Sequence, residues 1–169
     1  MKAPAALQKF MPSMNNPGNA IRDTWLRLAK VPMGSRIFSK ILGVMAPYTG
    51  TIGAQVVELR EGYAKVTLED RKAVRNHLRC VHAIALANLA EITGNVALGY
   101  SLPDDTRFIV AGFSIDYVKK ARGTITGTSQ CPVPDSSDRV ELEVPVEMRD
   151  DSGDIVATAV LRTLIGPKR

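Results

Sequence analysis

Apolar positions change their spacing several times along the chain, and each spacing predicts a type of element. Residues 21–29 and 37–45 carry apolar side chains at helical intervals, which predicts two N-terminal helices. From residue 51 the pattern becomes that of β-strands, which we expect over 51–59 and 63–68. Residues 81–98 are rich in alanine and leucine and contain no proline, so we expect a long helix there.

The segments after the long helix have the residue pattern of β-strands. The long helix is apolar on most of its circumference, and such a helix is usually buried. Helices that pack on one face of an antiparallel sheet give an α+β arrangement, which is the fold class that this order of elements predicts. The further strands are expected over 107–119, 124–133, 140–148 and 155–164.

The composition narrows the class of protein. The 169 residues correspond to one ordinary domain, and 45% hydrophobic with 23% charged residues is typical of a globular chain. No apolar segment is as long as a membrane span, and the first residues lack the apolar core of a secretory signal. Two cysteines do not make a disulfide framework, so we expect a cytoplasmic protein with reduced thiols. The net charge of +5 permits an anionic ligand, but 5% aromatic residues and short basic runs do not favour nucleic acid.

Candidate chemistry lies on the predicted long helix. Glu91 is charged although the helix around it is apolar, and a buried carboxylate has to be paired, hydrogen-bonded or shifted in pKa. Asn88 and Asn95 lie three residues before it and four after it, so the three side chains share one stripe of the helix. Such a carboxylate could act as a general base on water or attack a carbonyl group directly. The start of the helix adds free backbone N–H groups and the positive end of the helix dipole.

The segment from residue 76 to residue 91 resembles a known family. It reads Asn-His-Leu-Arg-Cys-Val-His-Ala-Ile-Ala-Leu-Ala-Asn-Leu-Ala-Glu, with Asn76 six residues before His82 and Glu91 nine residues after it. This spacing resembles that of the hotdog-fold acyl-CoA thioesterases, close to the phenylacetate-degradation branch and its uncharacterised relatives. The strand over 112–123 resembles the strand that follows the helix in that family, and the likeness covers about residues 49–166.

The resemblance implies a fold, an activity and a division of the chain. It implies a hotdog fold, in which an antiparallel sheet wraps a long central helix, over a core of residues 49–166. The two N-terminal helices predicted from the apolar spacing (19–48) lie outside this core but within a single domain (19–169), and the prolines and glycines of residues 1–18 predict a flexible arm. The implied reaction hydrolyses an acyl-CoA thioester to a free acid and coenzyme A, with no cofactor. The implied partners are the acyl-CoA substrate and further copies of the chain, as a homodimer or a dimer of dimers.

The resemblance also assigns roles to residues at the site. Glu91 activates water or forms an acyl-enzyme, Asn76 positions the carbonyl group or the water, and His82 supports the turn. The N–H of Ala83 is the implied oxyanion donor, because the family places that donor eight residues before the acid. Residues 83 and 91 are about 12 Å apart along one helix at about 1.5 Å per residue. Hotdog enzymes solve this problem by taking the acid from one protomer and the loop and helix start from the other.

Departures from the family's motif keep alternatives open. Ala83 and Ile84 replace both glycines of a His-Gly-Gly turn, and Arg79 stands where a glycine is common. A lost glycine matters only where the backbone needs a positive φ or a very close approach of the ligand. The alternative to an enzyme is a hotdog protein that binds acyl-CoA or acyl-lipid without hydrolysing it. A third hypothesis is a structural protein that docks through its N-terminal helices.

Other residues are candidates for substrate binding, each with a plainer interpretation. Asn88 and Asn95 could line the acyl pocket or only hydrogen-bond to Glu91. Cys80 could be a nucleophile, but the sequence positions no base beside it. No metal-binding or nucleotide-binding motif occurs, so we expect no metal site. Three basic residues at the end of a predicted strand suit the phosphates of coenzyme A or only face solvent: Lys119, Lys120 and Arg122.

Overall fold

The structure is a computed structural model that describes residues 18–168. Residues 1–17 of the predicted arm lie outside the described range. The helices are α1 (Ala20–Leu28), α2 (Gly34–Met45), α3 (Pro47–Gly50) and α4 (Ala83–Ser101), with a 3₁₀ turn over Lys72–Val74. The strands are β1 (Gln55–Arg60), β2 (Tyr63–Leu68), β3 (Thr106–Tyr117), β4 (Ile125–Gln130), β5 (Val140–Arg149) and β6 (Ile155–Pro167).

The strands form one antiparallel sheet in the order β1-β2-β4-β5-β6-β3, so β1 and β3 are its edges. The long helix α4 contacts all six strands, and the sheet wraps around it. The α+β fold class is therefore confirmed, with a central helix and two further helices before the sheet. The same order of elements also places the loop before α4 close to the end of β3, where the candidate site residues lie.

Most of α4 is buried because the helix is apolar on most sides. Thirteen of its 19 residues are buried, so little of its circumference reaches solvent. Gly94 lets the helix approach the sheet closely, since a Cβ there would lie 3.1 Å from Leu161 and 3.2 Å from Val144. We call the remaining side the open stripe of α4; it consists of residues that are half-buried or exposed, namely Ala83, Ile84, Ala87, Glu91 and Asn95.

The N-terminal helices are tied to α4 and to the sheet by polar side chains. Asn19, the N-cap of α1, donates hydrogen bonds to the carbonyl oxygens of Gly99 (2.7 Å) and Leu102 (2.9 Å). The hydroxyl of Ser39 in α2 accepts a hydrogen bond of 2.9 Å from the N–H of Val56 in β1. Both helices therefore have a fixed position over one flank of α4.

Some observed strand ends differ from the predicted ones because turn residues intervene. The strand expected over 51–59 begins only at Gln55, since the residues before it form a turn in which Gly53 has φ = +65°. The strand expected to end at residue 133 stops at Gln130, shortly before Pro132, which lacks the N–H that a strand ladder needs.

Candidate active site

The loop that leads into α4 is pinned at both ends. The carboxylate of Asp70 accepts hydrogen bonds from the guanidinium of Arg75 (2.6 Å) and from the N–H of Gly123 (3.2 Å). The bond from Arg75 holds the pKa of the Asp70 carboxyl below its usual range. Just before the helix, the N–H of Val81 donates to the carbonyl oxygen of Ala121 at 2.9 Å. The loop therefore follows a defined path beside the segment after β3.

Asn76 lies in this loop and orders it. Its side-chain oxygen accepts hydrogen bonds from the N–H of Leu78 (2.9 Å) and from the N–H and the thiol of Cys80 (both 3.4 Å). The oxygen is therefore occupied, and the NH₂ group is what this side chain can offer to a ligand. The buried thiol of Cys80 hydrogen-bonds to an amide oxygen and not to a base, which counts against a nucleophilic role.

Arg79 takes a left-handed conformation in the same loop. Its φ is +55°, in a region that costs a residue other than glycine about 1–2 kcal/mol. The geometry explains why the family resemblance leads one to expect glycine at this position. The chain keeps the turn without the glycine, at a cost in stability.

The start of α4 has a backbone N–H group that the helix itself does not use. Ala83 is the first helical residue, so its N–H has no acceptor within the helix. His82 is the N-cap, and its Nδ1 accepts a hydrogen bond of 3.0 Å from the N–H of Ile84. The hydroxyl of Tyr117 donates to the carbonyl oxygen of Ala83 at 3.1 Å, which fixes the helix start against the end of β3.

Glu91 is exposed in the single chain, so it is not a structural acid buried within its own chain. It lies on the open stripe of α4, where neither the sheet nor the N-terminal helices bury it. It is eight residues from Ala83, or about 12 Å along the axis at about 1.5 Å per residue. The carboxylate and this N–H of one chain therefore do not meet at one carbonyl group. The apolar residues near Glu91 in sequence belong to the neighbouring faces of the helix.

Asn88 and Asn95, which lie on either side of Glu91 in the sequence, differ in their burial and in the residues around them. Asn88 is 4% exposed, and its amide donates to the carbonyl oxygen of Tyr48 at 3.4 Å. Asn95 is half-buried and lines a cleft beneath the N-terminal helices. Among residues 18–168, the Oδ1 atoms of both asparagines are buried and accept no hydrogen bond. Neither oxygen is therefore satisfied by the rest of the described chain.

Two adjoining clefts lie between α2 and the structure around it. The first, of about 690 Å³, runs between α2 and the start of β1 and has Arg36 and Lys40 on its wall. The second, of about 270 Å³, lies between α1, α2 and α4. Thr49 and Ile92 line both clefts. Ile92, which directly follows Glu91 in α4, therefore forms part of the boundary between the two clefts.

The three basic residues after β3 are not equivalent. Lys119 forms ion pairs with Asp150 (2.8 Å) and Asp154 (2.6 Å), and hydrogen bonds to these carboxylates raise the pKa of its ammonium group. The turn between β5 and β6 thus holds Lys119, which counts against its predicted role in phosphate binding. Lys120 and Arg122 are exposed.

Neither a metal cluster nor a membrane helix is found in the part of the chain that the structure describes. No three His, Cys, Asp or Glu side chains within residues 18–168 are grouped so that they could hold a metal ion. None of the described helices is long and apolar enough to cross a membrane. The chemistry of the site therefore has to be sought in the side chains and backbone groups described above.

A comparison with protein families identifies this combination of elements. A family model described as a domain of unknown function, DUF4442, matches residues 34–165. The chain belongs to the DUF4442 family. The match begins at the first residue of α2 and ends within β6, so the family's domain includes α2 together with α4 and the sheet. No curated protein matches the chain at a significant level.

Solved structures show which fold this DUF4442 chain has. The structural-genomics protein APC5556 is 32% identical, with 89% of this chain and 98% of that chain covered and a TM-score of 0.75. A Pseudomonas aeruginosa protein of unknown function, described as a probable thioesterase, is 17% identical, with 82% and 97% covered and a TM-score of 0.69. A thioesterase family protein from Silicibacter pomeroyi is 13% identical, with 77% and 96% covered and a TM-score of 0.66. The hotdog fold of thioesterase family proteins is thus confirmed, and no comparison singles out the phenylacetate branch.

Several contacts at the site of this DUF4442 chain escape sequence-based prediction. In the sequence, Tyr48 and Thr49 indicate only the end of the second helix. In the structure, the carbonyl oxygen of Tyr48 accepts a hydrogen bond from the amide of Asn88, and Thr49 lines both clefts. Tyr117 reads as an ordinary strand residue, and its bond to Ala83 depends on how β3 packs beside α4. Asn88 is the one residue from which the contact with Tyr48 could have been expected. A buried side-chain amide needs hydrogen-bond partners, so it indicates that another segment of the chain packs over it.

Proposed function

We propose that this DUF4442 chain is an acyl-CoA thioesterase that works as a homodimer. The open stripe of α4 carries the proposal, because it presents the Glu91 carboxylate on an uncovered side of the helix and begins at Ala83, whose N–H has no acceptor within the helix. Whatever covers this stripe meets both a base and an oxyanion donor. The fold shared with thioesterase family proteins supports the reaction class. The substrate is an acyl-CoA, and no cofactor takes part.

A second copy of the chain supplies the missing half of each site. Two α4 helices related by a two-fold axis bring the acid of one protomer to the helix start of the other. The edge strand β3 is 12 residues long, and long edge strands are usually covered by another chain or element. Ile84 and Tyr117, at the helix start, are 54% and 47% exposed, and a partner would bury them.

The chemistry follows from the groups that such a shared site assembles. The Glu91 carboxylate takes a proton from water, whose oxygen attacks the thioester carbonyl carbon. The N–H of the partner's Ala83 donates to the resulting oxyanion, and one such donor is worth about 10²–10³ in rate. The C–S bond then breaks, the proton passes from Glu91 to the leaving thiolate, and the free acid and coenzyme A depart. The NH₂ group of the partner's Asn76 orients the carbonyl group or the water, and the partner's His82 holds the turn.

Glu91 could instead attack the carbonyl carbon directly. That attack expels the thiolate and forms a mixed anhydride between the acyl group and Glu91, which water then hydrolyses. Hydrolysis in ¹⁸O-water under single-turnover conditions detects the direct route when water opens the anhydride at the Glu91 carbonyl. Direct attack followed by water attack at Glu91 leaves ¹⁸O on the enzyme, whereas base catalysis places it in the released acid.

The substrate's anionic groups and the location of the reaction complete the proposal. Lys120 and Arg122 remain the proposed partners of the coenzyme A phosphates, and Arg36 and Lys40 on the first cleft are the alternative. Asn95, which lines the second cleft, is proposed to lie along the acyl group, whereas Asn88 lines neither cleft. The free thiols of the described chain fit the reducing cytoplasm, in which we place the reaction.

Two observations favour a second candidate, a hotdog protein that holds an acyl-CoA or acyl-lipid without hydrolysing it. The half-exposed side chain of Ile84 narrows the space above the helix start, which two glycines would leave open. The side-chain oxygen of Asn76 is also used within its own loop. Both features suit a ligand that is bound but does not react.

Turnover of an acyl-CoA panel tests the proposal. The protein is incubated with short-chain, long-chain and aromatic acyl-CoA, and the released thiol is measured. A kcat/KM of about 10⁴ M⁻¹s⁻¹ or more on one member is expected, within the usual range for enzymes. Saturable binding without turnover would establish the binding protein instead, and the absence of any affinity would favour the structural hypothesis.

A further inference from the structure

We infer that the second cleft binds the acyl group of the substrate and that Asn95 selects acyl groups that carry a hydroxyl. This inference rests on the proposed thioesterase function and adds a substrate class to it. The cleft lies under the N-terminal helices, and its wall is mainly aliphatic, with Ile21, Phe38, Leu42, Met45 and Val96 among its residues. Apolar walls of this kind fit a hydrocarbon chain.

The position of the cleft relative to Glu91 supports an acyl ligand. Ile92 follows Glu91 directly and lines the cleft, whereas Asn95 lies one helical turn further along α4. One turn is about 5.4 Å along the axis. A thioester carbonyl held at Glu91 would therefore send its acyl chain over Ile92 towards Asn95.

Asn95 gives the cleft a polar group without a partner. Its Oδ1 is buried and accepts no hydrogen bond from any residue that the structure describes. Burial of such an atom is unfavourable until a donor reaches it. A ligand hydroxyl both donates and accepts, so it satisfies the side-chain amide in either orientation, whereas a ketone or an N–H group satisfies only one.

The size of the cleft limits what it can hold. Its volume of about 270 Å³ is slightly below the range of about 300–1,000 Å³ that is usual for small-molecule pockets. The nucleotide part of coenzyme A is too large for this volume, so the cleft suits the acyl part of the substrate. A short or medium-length acyl group with one hydroxyl fits both the volume and the unpaired amide.

Matched substrates and variants test the inference. Octanoyl-CoA is compared with hydroxyoctanoyl-CoA isomers that carry the hydroxyl at successive carbons. The variant Asn95→Leu keeps the size of the side chain and removes its polarity. The control is Thr163→Val, since the Thr163 hydroxyl is also buried and unpaired within the described chain but lies in β6, outside both clefts.

The wild-type protein is expected to prefer one hydroxylated isomer about ten-fold in kcat/KM, the order of effect of one buried hydrogen bond. Asn95→Leu should abolish the preference, and Thr163→Val should retain it. Because the readout is a ratio of two substrates, partial unfolding of a variant cancels. Equal rates for plain and hydroxylated substrates, or a preference that survives Asn95→Leu, would overturn the inference while leaving the thioesterase function intact.

A binding measurement covers the case in which no acyl-CoA is hydrolysed. Calorimetry then compares octanoic acid with its hydroxylated isomers on the same three proteins. A preference of the wild type that is lost only in Asn95→Leu would support the cleft assignment, although the proposed enzyme function would have failed. The same affinity for all the acids in the wild type would overturn the cleft assignment as well.

Discussion

The hydroxyl of Tyr117, the last residue of β3, donates a hydrogen bond of 3.1 Å to the carbonyl oxygen of Ala83, the first residue of α4. The bond joins the edge strand of the sheet to the end of the helix that carries the candidate oxyanion donor. One phenol thus helps to fix where that donor lies relative to β3.

Tyr117→Phe is expected to lower kcat about ten-fold with little change in KM, within the 10²-fold that a misplacement of about 1 Å can cost. Burial raises the pKa of the Tyr117 phenol. A group whose pKa is higher in the folded state than in the unfolded state stabilises the fold while it is protonated. This stabilisation is complete below the unfolded pKa of about 10 and is lost as the pH rises through the folded pKa. The difference in Tm between wild type and variant should therefore persist to about pH 10 and change only above it. An unchanged kcat would show that the bond is structural only.

Glu91→Gln removes the proposed base while keeping the size of the side chain. We expect kcat to fall by about 10²–10⁴, the usual worth of a positioned proton-transfer group. The Tm should hardly change, because a neutral amide of the same size costs less to bury at the proposed interface than a carboxylate. Glu61→Gln, at an exposed acid between β1 and β2, is the matched control and should keep full turnover. A well-folded Glu91→Gln protein with wild-type kcat would end the catalytic assignment.

Mixing two variants, each of which lacks one proposed half of the site, tests whether the site is shared between protomers. Glu91→Gln is unfolded and refolded together with Asn76→Ala at equal amounts. Half of the dimers then contain one chain of each kind, and in each of these one of the two sites has a wild-type acid and a wild-type loop. The mixture should recover about a quarter of the wild-type activity, by this two-fold counting. If each site lay within one chain, the mixture would show no recovery.

Charge removal at two places tests where the phosphates of coenzyme A bind. The double variant of Lys120 and Arg122 to alanine should raise KM severalfold with little change in kcat, and added salt should reduce the difference, since the Debye length is about 8 Å at physiological ionic strength. Lys119→Ala is the control and should leave KM unchanged, because Asp150 and Asp154 already hold its charge. A rise in KM confined to the Arg36 and Lys40 double variant would place the phosphates at the first cleft instead.

The Asp70 carboxylate should make the stability of the loop before α4 depend on acid pH. The hydrogen bond from Arg75 lowers the pKa of Asp70 in the folded state. A pKa that is lower in the folded state gives stability that is present above the unfolded value of about 3.9 and is lost as the pH falls through the folded value. Asp70→Asn should therefore lower stability by about 1 kcal/mol at neutral pH, with the difference vanishing in strong acid. Urea unfolding at several pH values measures this, and a difference that does not vary with pH would contradict it.

The elements of the fold could be predicted where a local pattern is strong. α4 stands out because its apolar positions and lack of proline extend over five turns, and β2 because its residues alternate. The start of β1 could not be predicted, since the turn before it depends on the positive φ of Gly53. Local propensity thus gives the type of each element more reliably than its end.

The candidate site was predictable only as a set of positions in the sequence. The spacing of Asn76, His82 and Glu91 indicated the loop, the helix start and the acid. It could not indicate that Glu91 is exposed, because which side of a long apolar helix stays open is decided by the sheet and helices that pack on it. The two clefts could not be predicted from the sequence for the same reason, since they form between segments that are distant in sequence.

The wall shared by the two clefts decides whether a substitution changes the shape of one cleft or of both. Thr49 and Ile92 border both volumes, so one substitution at either position reshapes both at once. Val44 and Met45 are neighbours in the chain, yet Val44 borders only the first cleft and Met45 only the second. Adjacent residues of α2 therefore border the two clefts separately, so a substitution at one of them reshapes one cleft and leaves the other unchanged.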